Sequence, residues 1–259
     1  MNCKICNHKS KKIDNGKVLN KYDVEYFQCT HCGFVQTEKP YWLKESYSDA
    51  ISLSDTGMMS RNLMFAKLTM IILSILLNKK NTFLDYGGGY GILTRMMRDN
   101  GFDYYWYDNY ATNLVARGFE GEMINKTYEG VTSFENFEHF ENPLEDIEKI
   151  FSLTNFLLFS TDLISVPAPK TKDWWYYCLE HGQHVSLYSR ESLQYVANKY
   201  NYNLISNGTN IHILSKNKIN INIFLLEKFI RKFGLERFFV QSSKINNDMN
   251  EMIKKMKNL

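Results

Sequence analysis

The sequence predicts an α/β fold in which an open, doubly wound sheet carries a small N-terminal cysteine-bearing module and a helical C-terminal tail. Short apolar runs alternate with helical stretches between residues 81 and 215, which is the order of such a sheet. Four of the five cysteines form two short pairs near the N-terminus. After Asn222 the apolar side chains lie at helical spacing, which indicates the tail.

These observations divide the chain of 259 residues into four segments. Residues 1–40 form the cysteine module, 41–80 a helical linker or lid, 81–215 the sheet domain and 216–259 the helical extension. The net charge of +3 and the hydrophobic fraction of 44% argue against a nucleic-acid binder and a disordered chain. The longest apolar run has about half of the ~20 residues that cross a bilayer, so we expect no transmembrane segment and a cytoplasmic location.

Strands and helices alternate along the sheet domain. A buried strand is predicted at residues 82–86, before a glycine cluster, and a helix over residues 92–100 is closed by Gly101. Further strands are predicted at residues 104–107, 131–134 and 156–160. A helix from Ser189 to Tyr200 precedes an antiparallel pair of strands, residues 202–206 and 211–215.

Two CxxC pairs predict a structural metal site. Two intervening residues let both thiolates of a pair reach one tetrahedral ion, and four thiolates complete a closed zinc site. A β-hairpin within residues 17–28 fills the gap between the pairs, and a redox pair is the alternative. Cys178 is left over as a small buried side chain. The predicted zinc ligands are Cys3, Cys6, Cys29 and Cys32.

A glycine-rich turn follows the first strand of the sheet domain. Asp85 stands at the end of that strand, and four glycines follow before the helix. Glycines let the backbone approach a ligand closely, and Asp108 ends the next strand at nearly the ~20-residue distance of a ribose-binding acid. A tight structural turn is the alternative. Because no lysine follows the glycines, we do not expect a phosphate-binding P-loop.

The D-x-G-x-G-x-G pattern of this turn resembles motif I of class I S-adenosylmethionine-dependent methyltransferases. The resemblance implies a Rossmann-like, seven-stranded sheet over residues 81–215 that binds S-adenosylmethionine. It implies that Asp108 holds the ribose of the cofactor. The residues of the turn beneath the cofactor are then Asp85, Gly87, Gly88, Gly89 and Gly91.

The likeness extends to residues 133–143, which look like the segment after the fourth strand in many small-molecule methyltransferases. It implies that Glu135 lies beside the cofactor and that Glu138-His139 begin the next helix. One departure is that no clear acid ends a third strand between Phe119 and Tyr128, where this family often contacts adenine.

A segment rich in aromatic residues and histidine follows the strand that ends at Ser160. In a doubly wound sheet this position faces the ligand crevice. A hydroxyl group that attacks a methyl group loses its proton, and a neutral histidine suits that task near pH 7. The candidate bases are His181 and His184, with Glu180 orienting one of them; a structural role for one or both is the alternative. Aromatic walls suit a sugar ring, so the candidate substrate contacts are Trp174, Trp175, Tyr176 and Gln183.

The same segment is similar to one in sugar methyltransferases that carry an N-terminal four-cysteine zinc module. The resemblance implies S-adenosylmethionine and structural zinc as cofactors and O-methylation of a nucleotide-activated sugar or a glycan precursor of a surface or capsule polysaccharide. The alternative acceptors are an amine, a phosphate-derived group and a keto-sugar carbon. A zinc-stabilised module that binds nucleic acid or protein is the alternative function. No motif supports a catalytic divalent ion, which favours metal-independent chemistry.

Two flanking segments complete the sequence-based hypothesis. Tyr41, Tyr47 and Arg61 precede the sheet domain and are candidate substrate contacts from a lid, with Arg61 suited to a carboxylate or phosphate. Packing of the cysteine module on the core is the alternative. The apolar face of the tail predicts docking on the core, with a homodimer or an anionic membrane surface as alternatives.

Overall fold

Ten strands and seven α-helices are assigned in the computed structural model, which describes residues 1–47 and 55–257. The strands are β1 (Ser10–Val18), β2 (Tyr22–Cys29), β3 (Val35–Thr37), β4 (Thr82–Tyr86), β5 (Asp103–Tyr107), β6 (Gly130–Ser133), β7 (Phe156–Ser160), β8 (Ser186–Leu187), β9 (Asn203–Ser206) and β10 (Ile211–Ser215). The helices are α1 (Leu43–Ser46), α2 (Met58–Leu76), α3 (Ile92–Asp99), α4 (Pro143–Leu153), α5 (Arg190–Lys199), α6 (Ile223–Lys232) and α7 (Ile245–Lys257).

A six-stranded sheet has the order β5-β4-β6-β7-β10-β9. Strand β4 pairs in parallel with β5 and β6, whereas β10 and β9 form the predicted antiparallel pair. The mixed α/β fold class is confirmed. Within the described residues the sheet has six strands, where the resemblance implied seven.

The missing strand is reduced to one parallel bridge, between Trp106 and Glu120. Gly118 has a φ of 88°, and its N–H donates to the carboxylate of Glu120 at 3.0 Å. The chain therefore turns directly before the bridge and cannot extend into a longer strand.

Local signals set the helix boundaries near the glycine turn and before α5. Gly91, with a φ of 85°, immediately precedes α3, and the N–H of Gly101 donates to Arg98 O where that helix ends. The hydroxyl of Ser189 accepts from the N–H of Ser192, which caps α5. These boundaries agree with the sequence prediction.

The chain divides into two compact units, and unit 1 comprises Met1–Ser52, Ser133–Ser152 and Leu157–Lys218. Unit 1 contains a four-stranded sheet with the order β1-β2-β3-β8. The hairpin of β1 and β2 is longer than predicted, because Ser10 already pairs with Cys29. Strand β8 supplies the fourth strand, so residues after His184 complete the sheet that the cysteine module begins.

Unit 2 comprises Leu53–Thr132, Leu153–Phe156 and Ile219–Leu259. Among the described residues, α2 is the one helix that is long and apolar enough to cross a membrane. Its side chains Leu68, Ile71 and Ile72 are buried inside the unit, as in a core helix. Helix α7 is attached to α3 through a buried ion pair. The Arg98 guanidinium of α3 donates to both carboxylate oxygens of Asp248 in α7 at 2.7 and 2.8 Å.

Candidate functional site

The glycine turn between β4 and α3 has a backbone that favours glycine. Gly87, Gly89 and Gly91 have φ values of 76°, 54° and 85°, in the left-handed region. A Cβ atom added at Gly89 would meet no atom within 4 Å. The turn therefore borders open space at Gly89, where the backbone is accessible to a ligand.

Gly88 is required for a different reason, because its backbone packs tightly. A Cβ atom there would lie 2.7 Å from Cδ1 of Trp106 and 2.8 Å from Oδ2 of Asp85. The indole N–H of Trp106 donates to Gly89 O at 2.9 Å, which fixes the ring against the turn. Any larger residue at position 88 displaces the indole ring or the carboxyl group.

Asp85 lies buried beneath the turn. Its carboxyl oxygens accept hydrogen bonds from the hydroxyls of Thr132 at 3.0 Å and Thr94 at 3.2 Å. Burial raises the pKa of Asp85 to about 7, and the neighbouring Asp108 adds to the increase. The carboxyl group thus changes its charge near neutral pH.

Asp85→Asn is expected to flatten the pH dependence of stability of the ligand-free protein. The folded-state pKa of about 7 exceeds the unfolded value of about 3.9, so the folded state holds the proton more tightly. The stabilisation is complete below about pH 4 and is lost as pH rises to about 7, by up to about 1.4 kcal/mol per pH unit. Urea unfolding at about pH 5 and about pH 8 measures the change in the free energy of unfolding between these two pH values. Asp173→Asn, which removes an exposed carboxylate, should keep the wild-type slope; an equal slope in Asp85→Asn contradicts the prediction.

Asp108 lies at the turn, as the sequence predicts. One carboxylate oxygen accepts from the N–H of Gly89 at 2.9 Å. The other accepts from the N–H groups of Tyr110 and Ala111 at 2.7 and 2.8 Å. These bonds fix the orientation of the carboxylate, and a carboxylate with about four acceptor positions can accept one more donor.

The structure corrects one point about the third strand. The sequence shows no clear acid that ends a third strand between Phe119 and Tyr128, yet Glu120 stands in the single bridge next to β5. Its carboxylate accepts from the side-chain amide of Asn113 at 2.8 Å. The acid was missed because the strand it belongs to is too short to give a β pattern.

Three imidazole rings lie together in unit 1. The ring centroids of His139 and His184 are 5.1 Å apart, and those of His181 and His184 are 5.2 Å apart. The hydroxyl of Tyr47 lies 2.9 Å from Nδ1 of His139. Of the three histidines, the sequence analysis proposed the two at positions 181 and 184, and the structure adds the third.

The hydrogen bonds of these rings differ. Nδ1 of His184, which is buried, donates to Tyr176 O at 2.7 Å, so the lone pair of the neutral ring is on Nε2. Burial and the two other imidazoles keep the pKa of His184 well below its usual range. His181 is partly exposed, and its Nδ1 accepts from the N–H of Gln183 at a long 3.4 Å.

Glu138 lies beside these histidines and is fully buried. Neither of its carboxyl oxygens has a hydrogen-bond partner in the described part of the chain. One ligand atom each from Glu138, His139 and His184 lie within 4.8 Å of one another. Cys178, His181 and His184 form a second group of the same kind.

The other predicted catalytic and acidic residues are placed differently. Glu180 is exposed. The residue Glu135 has a φ of 51°, and its carboxylate accepts from the hydroxyl of Ser160 at 2.7 Å. It lies two residues after the end of β6 at Ser133, and its place beside the cofactor stays a prediction.

Of the predicted substrate contacts, Tyr47 and Tyr176 lie at the histidine cluster. Trp174 is partly buried, and Trp175 is 70% exposed. Gln183 is buried, and its amide donates to Ser46 O at 2.7 Å. Tyr41 is largely exposed, and Arg61 in unit 2 forms an ion pair with Asp55 at 2.7 Å.

The four cysteines of the module converge in unit 1. Their sulfur atoms lie within 4.8 Å of one another, with Cys3 and Cys32 3.6 Å apart and Cys6 and Cys29 3.4 Å apart. All four are buried and form no disulfide. Backbone N–H groups of Ile5 and His31 point at two of the sulfurs, as they do at thiolate-metal sites.

Sequence reasoning missed Glu138, His139 and Cys178 as members of the histidine cluster. The available signal was the short E-x-x-E-H run at residues 135–139, which by itself predicts only the start of a helix. Residues 137–139 instead form a single 3-10 turn, so the side chain of Glu138 is buried rather than placed at a helix surface.

Comparison with known families adds independent information. The family described as "Methyltransferase domain" matches residues 60–207, more than half of the chain. No curated protein sequence matches the chain.

Three of the solved structures that are similar to the chain illustrate the comparison. An O-methyltransferase family protein from Burkholderia thailandensis is 14% identical, with a TM-score of 0.46 and coverage of 68% of both chains. The plantazolicin methyltransferase, in complex with SAH, is 13% identical over 67% of this chain and 94% of that one, with a TM-score of 0.46. The magnesium protoporphyrin IX methyltransferase of Synechocystis PCC 6803, with bound SAH, is 12% identical over 67% and 92%, with a TM-score of 0.43.

Proposed function

We propose a reaction for this chain from the premise that it belongs to the methyltransferase-domain family. The chain is an S-adenosylmethionine-dependent methyltransferase, and the proposed reaction is O-methylation of a sugar. The acceptor is a nucleotide-activated sugar or a glycan precursor of a surface polysaccharide. The observation that carries the proposal is the cluster of imidazoles, because hydroxyl methylation requires a proton acceptor beside the reacting oxygen.

The glycine turn fits S-adenosylmethionine, which when bound supplies an electrophilic methyl group on a sulfonium centre. Open space at Gly89 lets the backbone approach the cofactor. The carboxylate of Asp108, fixed by three N–H groups, keeps an acceptor position for a ribose hydroxyl. Asp85 holds the turn in place through its buried hydroxyl partners.

The histidine cluster supplies the proton acceptor. When the acceptor oxygen bonds to the methyl carbon, the carbon–sulfur bond breaks and its electron pair remains on sulfur. The hydroxyl proton goes to the imidazole of His181 or His184. Support for a sugar comes from Trp175, whose indole ring lies beside Tyr176 and is 70% exposed, so that it can contact a sugar ring.

The proposal retains the other sequence-based expectations. Residues 1–40 act as a structural zinc module, residues 41–80 as a linker or lid and residues 216–259 as a helical extension. The proposed partner is a small molecule rather than nucleic acid, and the proposed location is cytoplasmic, with a homodimer as the alternative to a monomer.

His181→Ala and His184→Ala test the proposed base. We expect at least one of the two to lower turnover by about 10²–10⁴-fold without changing the affinity for S-adenosylhomocysteine. The assay incubates candidate nucleotide sugars with the enzyme and follows the gain of a methyl group by mass spectrometry, while calorimetry follows S-adenosylhomocysteine. His8→Ala, which removes an exposed imidazole, is the control. Full turnover in both variants would disprove the assignment.

A further inference from the structure

We infer that Glu138, His139 and His184 bind a divalent transition-metal cation that coordinates the hydroxyl group of the acceptor. The inference rests on the proposed function for the acceptor, but the ion itself is argued from the side chains alone. It replaces the sequence-based expectation of metal-independent chemistry. That expectation arose because no single run of the sequence contains all three ligands.

The first observation is the isolated carboxyl group of Glu138. It is 0% exposed, and among the described residues neither oxygen has a hydrogen-bond partner at normal distance and angle, although the hydroxyls of Tyr176 and Thr161 face the carboxyl group. A buried carboxylate without a partner costs several kcal/mol. Burial raises the pKa of Glu138 well above its usual range, and protonation removes the charge, but the new O–H group has only the weakly placed hydroxyls of Tyr176 and Thr161 as partners. A bound cation satisfies both oxygens.

The second observation is the donor set around that carboxyl group. One carboxylate oxygen and one nitrogen from each of two imidazoles lie within 4.8 Å of one another. Two histidines and one carboxylate form a site for a first-row transition metal that leaves coordination positions open for a substrate. A hydroxyl group in an open position is acidified by the ion.

The third observation is the outer hydrogen bonding of the two histidines. Nδ1 of His184 donates to Tyr176 O, and Nδ1 of His139 lies 2.9 Å from the hydroxyl of Tyr47. Metal-binding imidazoles characteristically use their second nitrogen in this way, which orients the first nitrogen. The Nε2 lone pair of His184 is therefore left for the cation, and that of His139 is left as well when its Nδ1 donates to the hydroxyl of Tyr47.

The lone pair on Nε2 of His184 could either take a proton or bind a cation. The buried carboxyl group of Glu138 distinguishes between these two roles. A neutral imidazole does not compensate a buried carboxylate, whereas a divalent cation does. The group of Cys178, His181 and His184 contains no such unpartnered carboxylate. We therefore assign His184 to the cation and His181, which is partly exposed, to the transfer of the hydroxyl proton to solvent.

The test is Mn²⁺ binding to the full chain, purified with the ion of its four cysteines in place. Mn²⁺ prefers oxygen and nitrogen ligands, so it leaves a thiolate site undisturbed. The electron paramagnetic resonance signal of free Mn²⁺ reports binding. We expect one Mn²⁺ per chain and at least a tenfold loss of affinity in Glu138→Gln and in His184→Ala. His181→Ala, which removes an imidazole from the same cluster, should bind Mn²⁺ as the wild type does.

Two results would overturn the inference: no binding of Mn²⁺, Co²⁺ or Zn²⁺ beyond the four-cysteine ion, or wild-type affinity in Glu138→Gln. Unchanged binding of S-adenosylhomocysteine in each variant establishes that the variants fold. Mn²⁺ binding by a chain that methylates no sugar would support the cation site and contradict the proposed function. Full methyl transfer after a chelator has removed Mn²⁺ would overturn the role of the cation in the reaction.

Discussion

Gly89→Ala is expected to abolish binding of S-adenosylmethionine and S-adenosylhomocysteine, with a loss of affinity of at least a hundredfold, while the fold remains intact. The added methyl group meets no protein atom within 4 Å, so it enters the space that the cofactor requires. The φ of 54° costs an alanine only about 1 kcal/mol. Calorimetry with S-adenosylhomocysteine measures the affinity, and thermal unfolding measures stability.

Gly234→Ala is the matched control for this variant. Gly234 has a φ of 64° and likewise has no atom within 4 Å of an added Cβ, but it lies outside the turn. The two variants should lose similar stability, and only Gly89→Ala should lose the ligand. Wild-type affinity in Gly89→Ala would mean that the cofactor binds elsewhere.

Cys29→Ser is expected to remove zinc from the protein and to lower its thermal unfolding midpoint by about 10 °C or more. Binding energy at a structural zinc site is folding energy, and a domain of this size shifts by about 2–4 °C per kcal/mol. Cys29 both lies 3.4 Å from Cys6 and ends β2, so its loss affects the metal and the sheet together. Metal content per chain and thermal unfolding, each with and without chelator, measure the effect.

Cys178→Ala is the control, because it removes a buried thiol that lies outside the four-cysteine cluster. It should retain one zinc ion per chain. A Cys29→Ser protein that retains zinc, or a wild-type protein that holds none, would contradict the structural role of the metal.

The elements that could be predicted from sequence are those with local signals. The strand before Asp85, the helix after Gly91 and the cap at Ser189 depend on residues within a few positions of one another. The short third-strand bridge at Glu120 could not be predicted, because a single bridge has no periodicity. The greater length of the first hairpin depends on the pairing of Ser10 with Cys29, which is a tertiary contact.

The residues of the candidate site likewise fall into those that local sequence signals predict and those that only tertiary contacts bring together. The glycine turn and the four cysteines were identified because spacing along the chain determines their chemistry. Glu138 and His139 were missed as members of the histidine cluster, since only the folded loop brings them to His184. Residue type alone also does not reveal that the side chains of Trp175 and Glu180 are exposed.

The pairing of β3 with β8 attaches the cysteine module to the segment that carries His184 and supports that segment. Val35 and Gln36, just after the second cysteine pair, are bonded to Leu187 and Ser186, which directly follow His184 and Val185. The N–H of Thr37 also donates to Val185 O at 3.3 Å. An ion held by the cysteines would thus help to set the position of His184 without touching a substrate. Loss of that ion should consequently slow the reaction at saturating cofactor, through a misplaced imidazole rather than a missing one.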